Sequence, residues 1–388
     1  MSNSSDGLAK TILILGGGIG GVATANRLRK KLDARHKIIL VNRDPDFSYA
    51  ASYLWVMNGT RTGAQITKPL KRLEKRGIEV IIGDIEEIDP VSKCATVSGK
   101  VISADYLVVT LGAEYAGEAI AGLNQSGHTF ATLSGATQIG REINKITSGR
   151  VLVVTASPLY RCPAAPYEAA LLIDAHLRKR GVRSAVDISL HSAEPMPMGV
   201  AGLNVADSVK QILANRGINY RGSHQIATVE SQQANFTDGE QLPFDLLAYM
   251  PPIKSPKVVA QSQLAGTGNW IDVDRNTLLT RFADVYAIGD NAQIPLSIGK
   301  PLPRAGVFAH AQSHVVADNI VAAISGKPMK ARFLGKGGCF IEVGGGLAGF
   351  GSGDFFAEPS PKVKMRKPSR KNHLGKVIFE KEVLWRWI

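Results

Sequence analysis

The feature that most constrains the fold lies at the start of the chain. Thr11-Ile12-Leu13-Ile14-Leu15 is a run of β-branched and aliphatic residues, the pattern of a parallel strand buried on both faces. It runs directly into Gly16-Gly17-Gly18-Ile19-Gly20-Gly21, where Gly16, Gly18 and Gly21 satisfy G-x-G-x-x-G. Gly16 permits the tight turn, Gly18 lets the backbone approach a pyrophosphate, and Gly21 lets the next helix pack on the strand. Residues 22–32 read as that helix, with Arg27, Arg29, Lys30 and Lys31 at the end where cations suit the dipole. The helix N-terminus then faces the phosphates. A second strand follows over residues 37–41. Asn42 stands at the ribose position, about 20 residues past the last glycine, where an acid is usual. An ordinary glycine-rich turn is the alternative, and it would not require this strand–helix–strand frame.

Two further segments bear on which dinucleotide is held. Asp105-Tyr106-Leu107-Val108-Val109-Thr110-Leu111-Gly112 is a charged start, a buried strand and a glycine turn. Val285-Tyr286-Ala287-Ile288-Gly289-Asp290 is a strand ending in Gly-Asp. With these the chain resembles the two-dinucleotide-binding-domain flavoproteins. The resemblance implies an FAD domain closed by the first segment through Gly112. It implies also that Asp290, after Gly289, meets the ribityl and phosphate region of the flavin. A surface aspartate after a strand is the alternative for Asp290.

Many members of that superfamily bind NAD(P)H on a second glycine-rich loop. Here the equivalent strand, residues 150–155, is followed by Ala156-Ser157-Pro158-Leu159-Tyr160-Arg161-Cys162-Pro163-Ala164-Ala165-Pro166-Tyr167-Glu168, which has no glycine. Pro158, Pro163 and Pro166 lack the N–H donors that a pyrophosphate needs. The expectation is no nicotinamide site, with Cys162 in its place before a helix over about 165–180. A thiol near a helix N-terminus and beside Arg161 has its thiolate favoured; a buried structural cysteine is the alternative.

The segment Tyr160 to Glu168 resembles the central cysteine motif of sulfide:quinone oxidoreductases and of the flavin subunit of flavocytochrome c sulfide dehydrogenase. Gly337-Gly338-Cys339-Phe340-Ile341-Glu342-Val343-Gly344 matches their second redox cysteine. Pro303-Arg304-Ala305-Gly306 resembles the flavin-facing segment, with Arg304 where Lys is frequent, and Leu374-Gly375-Lys376-Val377-Ile378-Phe379-Glu380-Lys381 is also family-like. The resemblance spans essentially the whole chain. It implies a redox-active disulfide between Cys162 and Cys339 on one face of the flavin. Sulfide, or another small sulfur donor, would attack it, leaving a persulfide on one sulfur and a thiolate on the other that delivers two electrons to FAD. A strained or exposed disulfide and a positive environment suit that chemistry. Glu168 would carry protons, or else merely stabilise the first turn of its helix. Phe340, Ile341 and Phe379 would lie on the side of a membrane quinone. Many members carry a third cysteine, where this chain has Ala131; Cys94 lies in a hairpin strand and reads as structural. FAD is therefore expected to be non-covalent, and no metal ligands are assigned. The rival readings are a related flavin dehydrogenase with another donor or a soluble acceptor such as cytochrome c, a type II NADH dehydrogenase, and a non-catalytic membrane-bound FAD protein.

The 388 residues carry a formal net charge of +13, which favours anionic partners. Seven of the cations fall between Lys362 and Lys376, with no Asp or Glu among them. This cluster, with Trp385, Trp387 and neighbouring cations at the end of the chain, suits an anionic lipid surface; a helix docked on the core is the alternative. No nucleic-acid module is visible, and no secretory signal or apolar run of about 18 residues. The expectation is a peripheral membrane protein on the cytoplasmic face, of unassigned oligomeric state. The fold class is α/β, with two Rossmann-like domains: FAD binding over 1–115 and 272–330, and a second domain without a nucleotide loop over 116–271. A C-terminal segment over 331–388 carries Cys339 and the membrane-facing end, and residues 362–373 form its one stretch of expected flexibility.

Overall fold

A computed structural model describes residues 8–388. Its first sheet has five parallel strands in the order Val285–Ala287, Tyr106–Val109, Thr11–Leu15, Lys37–Asn42 and Glu79–Ile82. The apolar opening run is the central strand, and Ile12 to Leu15 are wholly buried. The glycine-led helix spans Ile19–Lys31 and shares one face of the sheet with a long helix, Gly306–Ile324. On the other face lies an antiparallel meander, Ile85–Asp89, Cys94–Val97 and Lys100–Ser103, which buries Ile88, Ala95 and Val97. Cys94 sits in this meander, half-buried.

The second sheet repeats the plan. Its parallel strands run in the order His128–Thr129, Leu246–Met250, Gly149–Thr155, Val186–Ser192 and Asn219–Arg221. Helices Leu133–Lys145, Ala165–Lys179 and Leu203–Ala214 pack on one face. A second antiparallel meander, Ile226–Glu230, Gln233–Phe236 and Gln241–Pro243, covers the other.

The C-terminal part adds a three-stranded antiparallel sheet, Lys336–Gly344, Leu347–Asp354 and Lys362–Ser369, then a helix, Arg370–Glu382, and one π-helical turn, Val383–Trp387. Residues 362–373, expected to be flexible, are ordered here. Alternation explains it: Lys362 and Lys364 point outward, while Val363 and Met365 pack inward on both main cores. Ser369 then caps the helix by accepting from the Asn372 amide at 3.2 Å.

The end of the chain divides its tryptophans. Val383, Leu384, Trp387 and Ile388 are buried in the first core, and Asn26 donates to the Trp387 carbonyl at 2.7 Å. Trp387 is thus not the interfacial residue the sequence suggested, because the last turn docks on the first domain. Trp385 remains 61% exposed.

Candidate active site

The first strand–loop–helix joint has the shape of a phosphate cradle. Gly16 adopts φ +107°, and a Cβ there would lie 2.4 Å from the Thr110 carbonyl oxygen. A Cβ on Gly21 would lie 1.9 Å from the Gly16 oxygen. Above Gly18, by contrast, no atom lies within 4 Å of the Cβ position. Two glycines close the packing and the third leaves room over a helix N-terminus, which fits a dinucleotide pyrophosphate. Asn42 sits beside the loop but braces it: its Oδ1 accepts from the Gly17 amide at 2.8 Å, and its amide donates to the Asp44 carbonyl at 2.8 Å.

The equivalent joint of the second sheet holds a cysteine. Cys162 has φ +53°, a left-handed conformation that costs a non-glycine residue about 1 kcal/mol or more. It is fastened at both ends. Its amide donates to the Arg304 carbonyl at 2.7 Å, and its own carbonyl accepts from the Ala165 amide at 2.9 Å, opening the helix. The helix runs over Ala165–Lys179 with Pro166 in its first turn, where a missing N–H is harmless.

Cys339 comes from the strand Lys336–Gly344, and the two half-buried thiols lie close enough to perturb each other's ionisation. Both are free thiols here. That contact raises Cys162, with burial adding to the effect, and lowers Cys339, where the Phe340 amide also favours the anion. The expected preference for a Cys162 thiolate is therefore reversed. The pair favours the thiolate on Cys339, because the thiol–thiol contact and the Phe340 amide favour its anion, whereas burial and Glu168 disfavour the anion on both sulfurs.

Beneath the sulfurs lies a buried ion pair. Glu168 is 4% exposed and Lys376 6% exposed, and the Lys376 ammonium donates to the Glu168 carboxylate. Burial lifts Glu168 to about 7, against the pull of Lys376. Burial also opposes the charge on Lys376, but Glu168 and Glu342 outweigh it and hold the lysine protonated. Its positive charge favours anionic sulfur on both cysteines. Lys376 also lies 4.7 Å from the Trp55 ring centroid. Glu342, buried behind it, pairs with His373 at 2.9 Å. Sequence reasoning counted Lys376 among surface cations; its apolar neighbours Val377, Ile378 and Phe379 were the available hint.

The remaining candidates take definite places. Asp290 is buried and pairs with Arg161 Nε at 2.6 Å, so the residue before Cys162 reaches the end of the first sheet. Arg304 is buried, donates to the Asp290 carbonyl at 2.9 Å and stacks 3.9 Å from the Trp270 centroid. Burial lowers Arg304 to about 10. Gly112 donates to Asn291 Oδ1 at 3.0 Å and Gly289 to Gln312 Oε1 at 2.8 Å, both with positive φ. Ile341 is wholly buried in the second core. Phe340 points to the opposite side of its strand, 4.7 Å from the Phe350 centroid. Phe379 stands apart in a group with Tyr49, His310 and Trp387, at centroid distances of 6.1–6.4 Å. Tyr49, unnoticed in the sequence, is buried within electrostatic reach of both cysteines.

Residues 10–314 match the family model described as pyridine nucleotide-disulphide oxidoreductase. The chain belongs to the pyridine nucleotide-disulphide oxidoreductase family. As a member of it, the chain is an FAD-dependent oxidoreductase. The open space over Gly18 at a helix N-terminus fits the pyrophosphate of an FAD. Among relatives, the sulfide-quinone reductase of Aquifex aeolicus is 28% identical, covering 98% of this chain and 91% of its own. The mitochondrial sulfide:quinone oxidoreductase of Mus musculus is 25% identical, covering 90% of this chain and 79% of its own. The crystal structure of the Aquifex aeolicus sulfide:quinone oxidoreductase superposes with a TM-score of 0.88 at 27% identity, covering 98% of this chain and 91% of that one.

Proposed function

We propose that this family member oxidises sulfide through Cys162 and Cys339 and passes the electrons to a quinone. The observation that carries the reading is the meeting of these two sulfurs over the Lys376–Glu168 pair, in the place where a second nucleotide loop would stand. Two cysteines in contact can cycle between dithiol and disulfide. HS⁻ attacks the disulfide; one S–S bond forms as the other breaks, leaving a persulfide on one cysteine and a thiolate on its partner. Lys376 steadies that anionic sulfur. Glu168, poised at about 7, takes up and returns a proton beside it near neutral pH. Arg304 holds the Cys162 amide, and Arg161 ties the same loop to Asp290. Bound FAD supplies the two-electron acceptor between the cysteines and the quinone. With Ala131 where many family members carry their third redox cysteine, the chain is suited to non-covalent FAD.

We assign FAD binding to residues 1–115 and 272–330, the second Rossmann-like unit to 116–271, and the redox and membrane segment to 331–388. No helix among the described residues is long and apolar enough to cross a membrane. Leu374, Ile378 and Trp385 are 56–61% exposed. Leu374 and Ile378, four residues apart, share a face of the helix Arg370–Glu382, and Trp385 follows in the π-helical turn. Lys68 lies 5.0 Å from the Trp385 centroid. This stripe suits an anionic lipid surface on the cytoplasmic face, with Phe379 and its aromatic neighbours on the quinone side. The buried Ile341 would take part only by supporting Phe340. The deciding experiment is anaerobic stopped-flow of the flavin absorbance with sulfide and with NADH. Rapid bleaching by sulfide alone is expected. Rapid bleaching by NADH with none by sulfide would overturn the reading in favour of a nicotinamide donor.

A further inference from the structure

On the far face of the second domain lies a polar cluster that the sulfur chemistry does not use. His224 is 1% exposed, and its ring stacks on Phe236 at a centroid distance of 3.7 Å. Its Nδ1 is 2.7 Å from the Nδ1 of buried His191, whose Nε2 in turn meets Ser189 Oγ at 3.0 Å. The other ring nitrogen, Nε2, is buried and makes no hydrogen bond. It faces two carboxylates, Asp238 Oδ2 at 3.4 Å and Glu240 Oε2 at 3.4 Å. These two residues lie in the turn between the strands Gln233–Phe236 and Gln241–Pro243, while His224 precedes the strand Ile226–Glu230.

We infer that His224, Asp238 and Glu240 form a binding site for a divalent transition metal of the zinc class. One ligand atom from each lies within 4.8 Å of the others. Zinc bonds of ~2.0–2.2 Å in tetrahedral geometry set ligand atoms ~3.4 Å apart, which is the separation found between the imidazole nitrogen and each carboxylate oxygen. One nitrogen and two carboxylate oxygens suit zinc, cobalt or manganese better than calcium. The His191 contact on Nδ1 is the outer partner that a metal-bound imidazole ordinarily has. Arg221 now neutralises the carboxylates, reaching Asp238 Oδ2 at 2.7 Å and also Glu240. Its side chain is 47% exposed, free to swing outward when a metal arrives. A metal here would clip the antiparallel meander to the edge of the parallel sheet, independently of the cysteine site.

The test uses the full-length flavoprotein freed of metal with a chelator. Cobalt(II) is titrated, followed by its visible spectrum and by calorimetry, and zinc is then added as competitor. One cobalt per chain is expected, displaced by zinc, with ligand-field bands and no thiolate charge-transfer band. Binding is lost in Asp238→Asn/Glu240→Gln, whose exposed positions leave folding intact, and it tightens in Arg221→Gln, where the competing cation is gone. Zinc raises Tm in the unaltered protein but not in the double variant. Absence of binding, equal binding by the double variant, or a thiolate band that vanishes when the cysteines are alkylated would each overturn the proposal.

Discussion

The two strand–loop–helix joints occupy equivalent places in two sheets of the same plan, and they have opposite chemistry. After Leu15 the chain turns on glycines and leaves open space over a helix N-terminus. After Thr155 it turns on a left-handed cysteine whose amide and carbonyl are both taken. The contrast teaches that the scaffold supplies a location and the loop residues supply the reaction. Backbone N–H groups free to point outward make an anion cradle, whereas a loop that spends them internally holds a side chain in place.

The comparison breaks most sharply at its ends. Gly21→Val places a side chain into the Gly16 carbonyl, 1.9 Å from its Cβ; the purified protein should lose its yellow colour, read by absorbance and by released FAD. Cys339→Ser or Cys162→Ser should do the reverse, keeping FAD while abolishing rapid bleaching by sulfide in stopped-flow. Persistence of rapid bleaching in both serine variants would place the chemistry elsewhere.

Lys376→Met leaves Glu168 buried without its countercharge. Removing one partner of a buried pair costs about 3–5 kcal/mol, measurable by denaturant unfolding. Restoring the balance with Glu168→Gln in the same chain should recover much of that loss.

Glu168→Gln alone sharpens the comparison through pH. Folding raises this carboxyl from its ordinary 4.5 to about 7. In that window the folded chain binds the proton and the unfolded chain does not, so this group's contribution to stability falls as pH rises from about 4.5 to about 7. The glutamine variant should flatten that slope, seen as Tm against pH. Its thiol alkylation rate should also lose an ionisation near neutrality.

The smallest effect belongs to the first joint. Asn42→Ala removes the brace on the Gly17 amide. It should cost about 1 kcal/mol and weaken FAD binding a few-fold, measured by fluorescence titration.

Local pattern reveals some of these features and conceals others. The run Thr11–Leu15, the glycines and the Gly289–Asp290 turn are readable because a buried parallel strand and a phosphate loop restrict residue type at each position. The loop before the helix at Ala165 is readable for the same reason, through its prolines and its lack of glycine. Lys376 was misread as a surface cation because a cluster of charges along the chain carries no information on which member turns inward. Trp387 was misassigned in the same way: a short apolar end can dock on its own core or on a lipid surface, and either use selects the same residues. Asn42 occupies the right place, yet its hydrogen bonds go to the loop.

The order of residues dictates the nucleotide cradle and the strand periodicity around it, since these depend on backbone space and side-chain type within about 30 neighbouring positions. Long-range packing alone brings Cys339 to Cys162, buries Lys376 against Glu168, and favours the thiolate on Cys339. Burial and charge at these atoms come from segments more than 150 residues distant in the chain, and no local pattern encodes a desolvation or a Coulomb field that exists only once those segments meet.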